Sequence, residues 1–254
     1  MSIETKSRAE LGWMREASRA TAEIVALMIQ AAQPGTQLIE LDRLARSEID
    51  KRHATSSFLG YKPGGLPPYP AVVCLSLNDV VVHGIPDATR LQEGDILSLD
   101  FAVSMRGYHG DMARTIPIGP ISPERQALID VTRAALDVAV QTVLPTKRIG
   151  DIGHAVQTFV EERGFQVVRD FVGHGIGRRM HEDPQVPNYG APNRLPRIRF
   201  GTTLALEPMV NAGTWEVEVM PDRWTVRTQD RRDSAHFEDT VALIEDGPEV
   251  LTRL

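Results

Sequence analysis

Cysteine is almost absent from this sequence, since Cys74 is the only one among 254 residues. A single cysteine excludes an internal disulfide framework and is typical of a reducing compartment. The first ten residues are charged and contain no apolar core of the signal-peptide type. No run approaches the roughly 18 apolar residues that a membrane helix needs. We therefore expect a cytoplasmic protein that does not enter a membrane.

Positive charge is also scarce, because 28 Lys and Arg stand against 34 Asp and Glu and leave a formal net charge of -6. Proteins that bind nucleic acid usually carry a basic excess that displaces counterions from phosphates. We expect no specific DNA binding. Arginines gather locally, as at 194–199 and 231–232. We interpret both groups as solvated surface, with a phosphate or ribosomal-RNA contact as the alternative.

The motifs of two large enzyme classes are missing as well. The chain has no phosphate-binding or dinucleotide-binding glycine motif and no Gly-x-Ser-x-Gly nucleophile turn. Cys74 lies in the apolar run 71–75, which favours a buried structural cysteine over a nucleophile. Nucleotide-dependent and serine-nucleophile chemistry therefore have no support in the sequence.

Hydrophobic periodicity predicts an α/β chain in which helices precede strands twice. Pro34 aligns with Pro145 and Leu41 with Ile152, at a constant offset of 111 residues. We expect one domain, 1–254, whose similar halves (roughly 1–118 and 119–254) enclose a cleft. Chance similarity of amphipathic helices is the alternative. Thr36 is predicted to cap the second helix. The predicted helices are 4–32, 37–52, 123–143 and 150–163, and the predicted strands are 71–77, 80–83, 96–103, 110–118, 165–172, 202–210, 215–220, 224–228 and 236–245.

Five residues stand in settings that are unusual for packing residues. Three of the acids begin or end strand-like apolar runs, and the histidine lies between two glycines. Buried acids are costly unless they are paired or bind metal, and no basic residue stands in the same runs. Because two divalent ions would cancel four carboxylates, we interpret the five as one dinuclear site for Co²⁺, Mn²⁺, Fe²⁺ or Zn²⁺. They are Asp100, Asp111, His174, Glu207 and Glu238.

The segment between Asp100 and Asp111 is predicted to form a hairpin. If its centre falls between Met105 and Arg106, the two aspartates are directly opposite, with Cβ atoms about 4.5–5.5 Å apart. Two metal ions about 3.5–4 Å apart suit such a pair.

Other histidines form a second group of candidates. His83 lies in a turn-like Val-His-Gly-Ile-Pro segment, and His181 follows His174 closely. We assign His109 a structural role. We interpret His53, His154 and His236 as ordinary residues, with support of the nearby Glu238 by His236 as the alternative.

These residues lie in longer motifs that closely resemble those of type I methionine aminopeptidases, over nearly the whole chain. The resemblance implies the pita-bread fold, a pseudo-two-fold antiparallel sheet flanked by helices, with the site between the halves. With no amino-terminal extension, the sequence is similar to the short bacterial form. The motifs are Asn78-Asp-Val-Val-Val-His83-Gly-Ile-Pro86, Gly94-Asp-Ile-Leu-Ser-Leu-Asp100, Gly107-Tyr-His-Gly-Asp111, Gly173-His174-Gly-Ile-Gly-Arg-Arg-Met-His181, Glu207-Pro208 and Trp224-Thr-Val-Arg-Thr228 before Glu238.

The resemblance also implies an activity, the removal of initiator methionine from nascent proteins whose second residue is small. The expected partners are nascent polypeptide N-termini and the ribosome, and the expected state is a monomer. Asp100 would chelate one metal ion, Asp111 and Glu238 would bridge both, and His174 and Glu207 would hold the other.

Catalytic and pocket roles are implied in the same way. Glu207 would carry a proton to the leaving amine, His181 would hydrogen-bond to the substrate carbonyl, and His83 would steady the scissile amide. Phe58 replaces a common cysteine, Met180 replaces a common phenylalanine, and the loop at 62–68 is longer than usual. The methionine pocket would contain Tyr61, Tyr69, Trp224, Phe58 and Met180.

Two alternative functions share this fold. X-prolyl peptidases (prolidase and aminopeptidase P) have the same ligand pattern, but the seven-residue step from His174 to His181 is that of the methionine enzymes. A non-catalytic binding module is the second alternative. Such modules typically lose ligands, whereas this chain keeps all five.

Overall fold

Two helices followed by a run of strands occur twice along the chain in the computed structural model, which describes residues 3–254. In this range no helix is long and apolar enough to cross a membrane. The helices are α1 (Arg8–Ala31), α2 (Leu38–Lys51), α3 (Pro123–Thr142) and α4 (Ile149–Glu161). The strands are β1 (Thr55–Ser56), β2 (Cys74–Leu77), β3 (Val80–Val82), β4 (Ile96–Met105), β5 (Tyr108–Pro117), β6 (Gln166–Val167), β7 (Gly173–Gly175), β8 (Glu182–Val186), β9 (Thr203–Leu206), β10 (Met209–Asn211), β11 (Val217–Val219), β12 (Val226–Thr228), β13 (Ser234–His236), β14 (Glu238–Ile244) and β15 (Gly247–Val250).

A nine-stranded antiparallel sheet forms the centre of the molecule. Its strand order is β1-β4-β5-β14-β9-β7-β8, with β2 beside β4 and β15 beside β14. Two three-stranded sheets, β13-β10-β6 and β11-β12-β3, lie next to it. The central sheet joins strands from early and late parts of the sequence, since β5 pairs with β14. Side chains from both parts therefore meet on one surface.

Two hydrophobic clusters cover the outer face of this sheet. One combines α1 and α2 with the early strands and contains Met28, Leu41 and Phe101. The other combines α3 and α4 with the late strands and includes Leu136 and Leu204. Burying each such side chain contributes about 1.5–3 kcal/mol to the free energy of folding. The packing of the helices therefore stabilises the sheet from its outer face.

Helix α1 starts at Arg8, four residues later than predicted, whereas the other three helices start within one residue of the prediction. Helix α1 begins after Ser7, where Ser7 N–H donates to Glu10 Oε2 at 2.9 Å and the Ser7 hydroxyl accepts from Glu10 N at 3.3 Å. This is a capping box. The predicted Thr36 cap is wrong, because Gln37 is the N-cap of α2 and donates its N–H to Glu40.

The strand predictions fail mainly at short elements. Strands β1, β7, β8 and β15 were not predicted, and the predicted strand 165–172 shrinks to β6. The predicted strand 202–210 divides into β9 and β10 around Glu207-Pro208. Proline cannot donate to a strand ladder, so the break falls where Pro208 stands.

The hairpin of β4 and β5 turns later than predicted. Its two turn residues are Arg106 and Gly107, with φ angles of 51° and 78°, and Met105 pairs with Tyr108. A two-residue turn with positive φ at both positions favours glycine at the second. Gly107 was thus the signal for the correct centre.

This turn changes the register of the two aspartates. Asp100 pairs with Ala113, and Asp111 pairs with Ala102. The prediction that Asp100 and Asp111 lie directly opposite is therefore wrong. They are diagonal neighbours on the same face, a separation that long polar side chains still span.

Gly110 in β5 offers a test of how closely α1 packs on the sheet. A Cβ atom at Gly110 would lie 2.5 Å from Ser18 Cα. We expect Gly110→Ala to lower the free energy of unfolding by at least about 1–3 kcal/mol, measured by urea denaturation. Gly12→Ala is the control, because nothing lies within 4 Å of its added Cβ, and it should stabilise α1 by about 0.5–1 kcal/mol. Equal urea midpoints for Gly110→Ala and the wild type would contradict this packing.

Candidate metal centre

Three of the predicted ligands share one face of the central sheet because of strand register. Residues directly opposite in a sheet, and residues two apart in a strand, point to the same side. Ala113 in β5 pairs with Asp100 in β4 and with Glu238 in β14. Asp111 lies two residues before Ala113. The three acids therefore converge around the small Ala113 side chain.

The other two predicted ligands join the same face through β9. Thr240 lies two residues after Glu238 and pairs with Ala205. Ala205 also pairs with His174 of β7, and Glu207 follows Ala205 by two. Four of the positions thus lie on one side of the central sheet, and Glu207, one residue beyond the end of β9, lines the same cavity.

Distances bring these side chains into a single cluster. Ligand atoms of Asp111, His174 and Glu238 all lie within 4.8 Å of one another. His174 Nε2 lies 3.6 Å from Glu207 Oε1. Asp100 lines the same cavity. It lies close enough to Asp111 for the Asp111 charge to raise the pKa of Asp100.

Three carboxylates of the cluster each keep one oxygen atom without a hydrogen-bond donor from the described residues. Within residues 3–254, Asp100 Oδ1, Asp111 Oδ1 and Glu238 Oε1 are buried and have no partner. A buried carboxylate without a partner costs several kcal/mol. Orphaned oxygen atoms beside one imidazole match the donors that divalent transition metals take. The residues present therefore fit a metal.

The neighbouring Asp239 shows how this fold satisfies a buried acid without metal. Asp239 points to the opposite face from Glu238. It accepts from Arg114 Nη2 at 2.6 Å, from the Thr252 hydroxyl at 2.8 Å and from Arg253 Nε at 3.1 Å. Asp239 therefore has three donors, whereas Oε1 of the adjacent Glu238 has none in residues 3–254. The acids on the Glu238 face are thus not satisfied by ordinary ion pairs.

Ionisation of the acids reflects this lack of partners. Burial raises the pKa values of Asp100, Glu207 and Glu238 well above their usual range, and the neighbouring carboxylates raise them further. Burial raises the pKa of Asp111 to about 7. Cations among the four carboxylates would favour their ionised forms.

The orientation of His174 suits a metal ligand. Its Nδ1 lies 2.8 Å from the Gly175 carbonyl oxygen, so Nδ1 carries hydrogen and donates. The lone pair is then on Nε2, the atom that faces Glu207. Burial, with a smaller effect from His181, lowers the pKa of His174 to about 3, which keeps the imidazole neutral.

His236 and His109 lie at the edges of the cluster. His236 Nε2 is buried 3.9 Å from Glu207 Oε2 and has no hydrogen-bond partner among the described residues. His109 Nδ1 contacts the Ser57 hydroxyl at 2.8 Å.

A cavity of about 340 Å³ connects the cluster to an apolar pocket. Tyr69 packs edge-on against Trp224 at 5.2 Å between ring centroids and against Phe58 at 6.3 Å. Cys74, predicted as structural, also lines the wall and pairs with Asp100 in register. The predicted pocket residues Phe58, Tyr61, Tyr69, Met180 and Trp224 all line this cavity.

His83 and His181 line the same cavity as the acids and the apolar pocket. The His181 ring is 4.1 Å from the His174 ring, between centroids. Phe171 packs edge-on against His83 at 5.4 Å. Partial removal from water lowers the pKa values of His83 and His181 to about 4. Phe171 was not predicted, and its position three residues before His174 was the only available signal.

Comparison with known proteins identifies the family of this chain. The pattern of metallopeptidase family M24 matches residues 12–245. The chain belongs to this family. Within it, a methionine aminopeptidase of Clostridium acetobutylicum is 47% identical over 251 residues, covering 98% of each chain. The predicted membership among methionine aminopeptidases is thereby confirmed.

Solved structures support the same assignment for this M24 metallopeptidase. A methionine aminopeptidase of Thermotoga maritima superimposes with a TM-score of 0.95 at 39% identity, covering 100% of both chains. A prolidase from Pyrococcus furiosus reaches a TM-score of 0.78 at 17% identity, covering 98% of this chain and 65% of its own. That second likeness shows the fold alone. The predicted pita-bread fold is confirmed.

Asp111 allows a test of the unpaired charge. Its pKa lies above the ordinary 3.8, at about 7, so its ionisation destabilises the metal-free protein as pH rises through that window. At about pH 8, Asp111→Asn should raise the free energy of unfolding of the metal-free protein by about 1–3 kcal/mol, measured by urea denaturation. The gain should vanish as the pH falls towards 3.8, the ordinary pKa.

Metal should reverse the sign of this difference. With Co²⁺ or Mn²⁺ added, the wild type should become the more stable form, because Asp111→Asn removes a charged ligand. Asp246→Asn, at an exposed aspartate, is the control. It should leave the free energy of unfolding unchanged both without metal and with metal. A destabilising Asp111→Asn effect without metal at about pH 8 would rule out an unpaired buried carboxylate.

Proposed function

We propose that this chain is a methionine aminopeptidase that removes the initiator methionine from nascent polypeptides with a small second residue. The observation that carries the proposal is the joining of an orphaned carboxylate cluster to an apolar pocket in one cavity. Membership in the M24 family and the 47% identity to a methionine aminopeptidase support it.

The pocket suits the methionine side chain. Its walls are aromatic and aliphatic, and Trp224, Tyr69 and Phe58 are buried. A flexible thioether packs favourably against aromatic rings, with the sulfur about 5 Å from a ring. The pocket wall and the acidic cluster are adjacent, because Cys74 of the wall pairs with Asp100 of the cluster. One short substrate can therefore place its methionine side chain in the pocket and its scissile bond at the acids.

Two divalent ions are proposed for the acidic cluster. Asp100 would hold one, His174 and Glu207 the other, and Asp111 and Glu238 would contact both. Four carboxylates balance two such ions, and this donor set suits Mn²⁺, Co²⁺, Fe²⁺ or Zn²⁺. Bound there, such ions polarise a carbonyl and lower the pKa of water towards neutrality.

Three side chains of the protein would handle the substrate. Glu207, whose pKa is raised by burial and by Asp100 and Asp111, would hold a proton and pass it to the leaving amine. Neutral His181 would donate to the substrate carbonyl oxygen, where negative charge develops. His83, placed between Phe171 and Trp224, would contact the scissile amide.

We further propose that residues 1–254 form one catalytic unit of two similar halves, roughly 1–118 and 119–254. The continuous central sheet and the two hydrophobic clusters support this division. A monomer is proposed because the exposed large hydrophobic residues found in residues 3–254 are scattered, such as Leu59, Leu195 and Phe200. We expect the chain to meet its substrates at the ribosome.

An X-prolyl peptidase is the rival function, and substrate choice separates the two. A Met-Gly-Met peptide and an Ala-Pro peptide, each assayed with Co²⁺ or Mn²⁺, distinguish them directly. Preference for the proline peptide would refute the proposal.

Glu207→Gln tests the proton role. The amide keeps the size of the side chain but cannot carry a proton, so turnover of a Met-Ala peptide should fall by at least about 100-fold. Circular dichroism should show an unchanged fold. Glu245→Gln, at an exposed glutamate paired with Arg8, should retain full turnover. Substantial residual activity of the Glu207 variant, with the control active, would exclude the assigned role.

The long loop at 62–68 forms part of the pocket wall. Trp224 Nε1 donates to the Pro67 carbonyl oxygen at 3.0 Å, and Arg223 Nη2 donates to that of Gly65 at 3.2 Å. Leu66 is thereby held in the cavity lining and packs against the aromatic cluster. Leu66 is therefore proposed to limit the size of the first residue.

Leu66→Ala should widen this pocket. We expect kcat/KM for a Met-Ala peptide to fall about 10-fold, mainly through KM, while the preference for Phe-Ala over Met-Ala rises. Leu59→Ala is the matched control, since Leu59 is 48% exposed and does not line the cavity. An unchanged ratio of the two substrates in Leu66→Ala would show that the loop does not set specificity.

A further inference from the structure

One hydrogen bond in the cavity wall joins two residues from distant parts of the sequence. Tyr61 Oη lies 2.9 Å from His181 Nδ1. The two rings also stack, with centroids 5.3 Å apart and planes inclined by 22°. Both residues line the cavity. The contact therefore determines how Nδ1, one of the two nitrogen atoms of the His181 ring, is hydrogen-bonded.

A neutral imidazole has one nitrogen that donates and one that accepts. If Tyr61 donates to Nδ1, the hydrogen of His181 is on Nε2. If Tyr61 accepts, the hydrogen is on Nδ1, and Nε2 offers only a lone pair. The direction of this one hydrogen bond thus decides whether His181 can donate to a substrate.

Main-chain hydrogen bonds fix the backbone of Tyr61. Tyr61 N–H donates to the Phe58 carbonyl at 2.9 Å, and Tyr69 N–H donates to the Tyr61 carbonyl at 2.9 Å. Gly60 N–H donates to the Tyr69 carbonyl, also at 2.9 Å. These bonds close the 62–68 loop at its base and fix the main chain from which the phenol extends towards His181.

The His181 ring has a second neighbour on its other side. The His174 ring lies 4.1 Å away, between centroids, at an angle of 44°. His174 donates from its own Nδ1 to the Gly175 carbonyl, and its Nε2 faces Glu207 Oε1 at 3.6 Å. In residues 3–254, Tyr61 is the side chain hydrogen-bonded to that atom.

We propose that Tyr61 is a positioning residue that donates its hydroxyl hydrogen to His181 Nδ1 and so places the ring hydrogen on Nε2. His181 then presents an N–H donor to the carbonyl oxygen of the scissile bond. The value of that donor rests on the proposed function, whereas the tautomer itself does not. Tyr61 thus acts through His181, in addition to forming the pocket wall.

The tautomer can be read directly by nuclear magnetic resonance. Protein labelled with ¹⁵N-histidine and loaded with Zn²⁺, a diamagnetic ion, gives two-bond ¹H–¹⁵N patterns that distinguish Nε2–H from Nδ1–H. His181→Asn identifies the His181 signals among the seven histidines. We expect the Nε2–H pattern in the wild type. An Nδ1–H pattern there would overturn the proposal.

Tyr61→Phe removes the hydroxyl and keeps the stacked ring. We expect its His181 to lose the pure Nε2–H pattern. The kcat for a Met-Ala peptide should fall about 10- to 100-fold, less than the roughly 100- to 1000-fold cost of deleting an oxyanion donor, with KM nearly unchanged. Tyr189→Phe is the control, because Tyr189 lies outside the cavity lining, and both readouts should stay at wild-type values.

The possible outcomes separate this inference from the proposed function. A wild-type tautomer pattern retained in Tyr61→Phe, together with an unchanged kcat, would refute the role of Tyr61. Absence of Met-Ala turnover in every form would refute the proposed function, while the resonance spectra would still decide the tautomer.

Discussion

Mutual repulsion among four buried or half-buried carboxylates is the constraint on which the rest of this structure depends. Asp100, Asp111, Glu207 and Glu238 face one cavity, and three of them keep an oxygen atom without a donor. Such an arrangement is costly unless cations compensate it. The surrounding sheet must therefore supply enough packing energy to hold the acids together before any ion arrives.

The central sheet meets this demand by placing the acids at register positions with small neighbours. Ala102 and Ala113 are the pairing partners of Asp111 and Asp100, and Ala205 is that of His174. Alanine leaves room above the sheet where larger residues would fill it. The hydrophobic clusters on the helical side then stabilise the same strands from the opposite face.

The sequence predicted the membership of the site better than its geometry. Acids at the ends of apolar runs could be recognised one at a time, because burial of an unpaired carboxylate is costly wherever it occurs. The register of the Asp100 hairpin was missed, although Gly107 indicated the turn. Strands of two or three residues carry too few side chains for periodicity to show.

Contacts between distant segments were beyond any local pattern. Tyr61 and His181 are 120 positions apart, and nothing in either segment predicts that they share a hydrogen bond. The same holds for Trp224 and Pro67, which are 157 positions apart. These pairs arise only when the central sheet and the 62–68 loop come together, so they required coordinates.

The bonds around Asp239 bear on how the chain can be handled experimentally. Thr252 and Arg253 tie the last residues to β14, the strand that also carries Glu238. Leu254, by contrast, is 76% exposed. An affinity tag fused after Leu254 can therefore extend into solvent with these bonds intact. Removal of residues 252–254 would instead take two donors, Thr252 and Arg253, from the buried Asp239 beside Glu238.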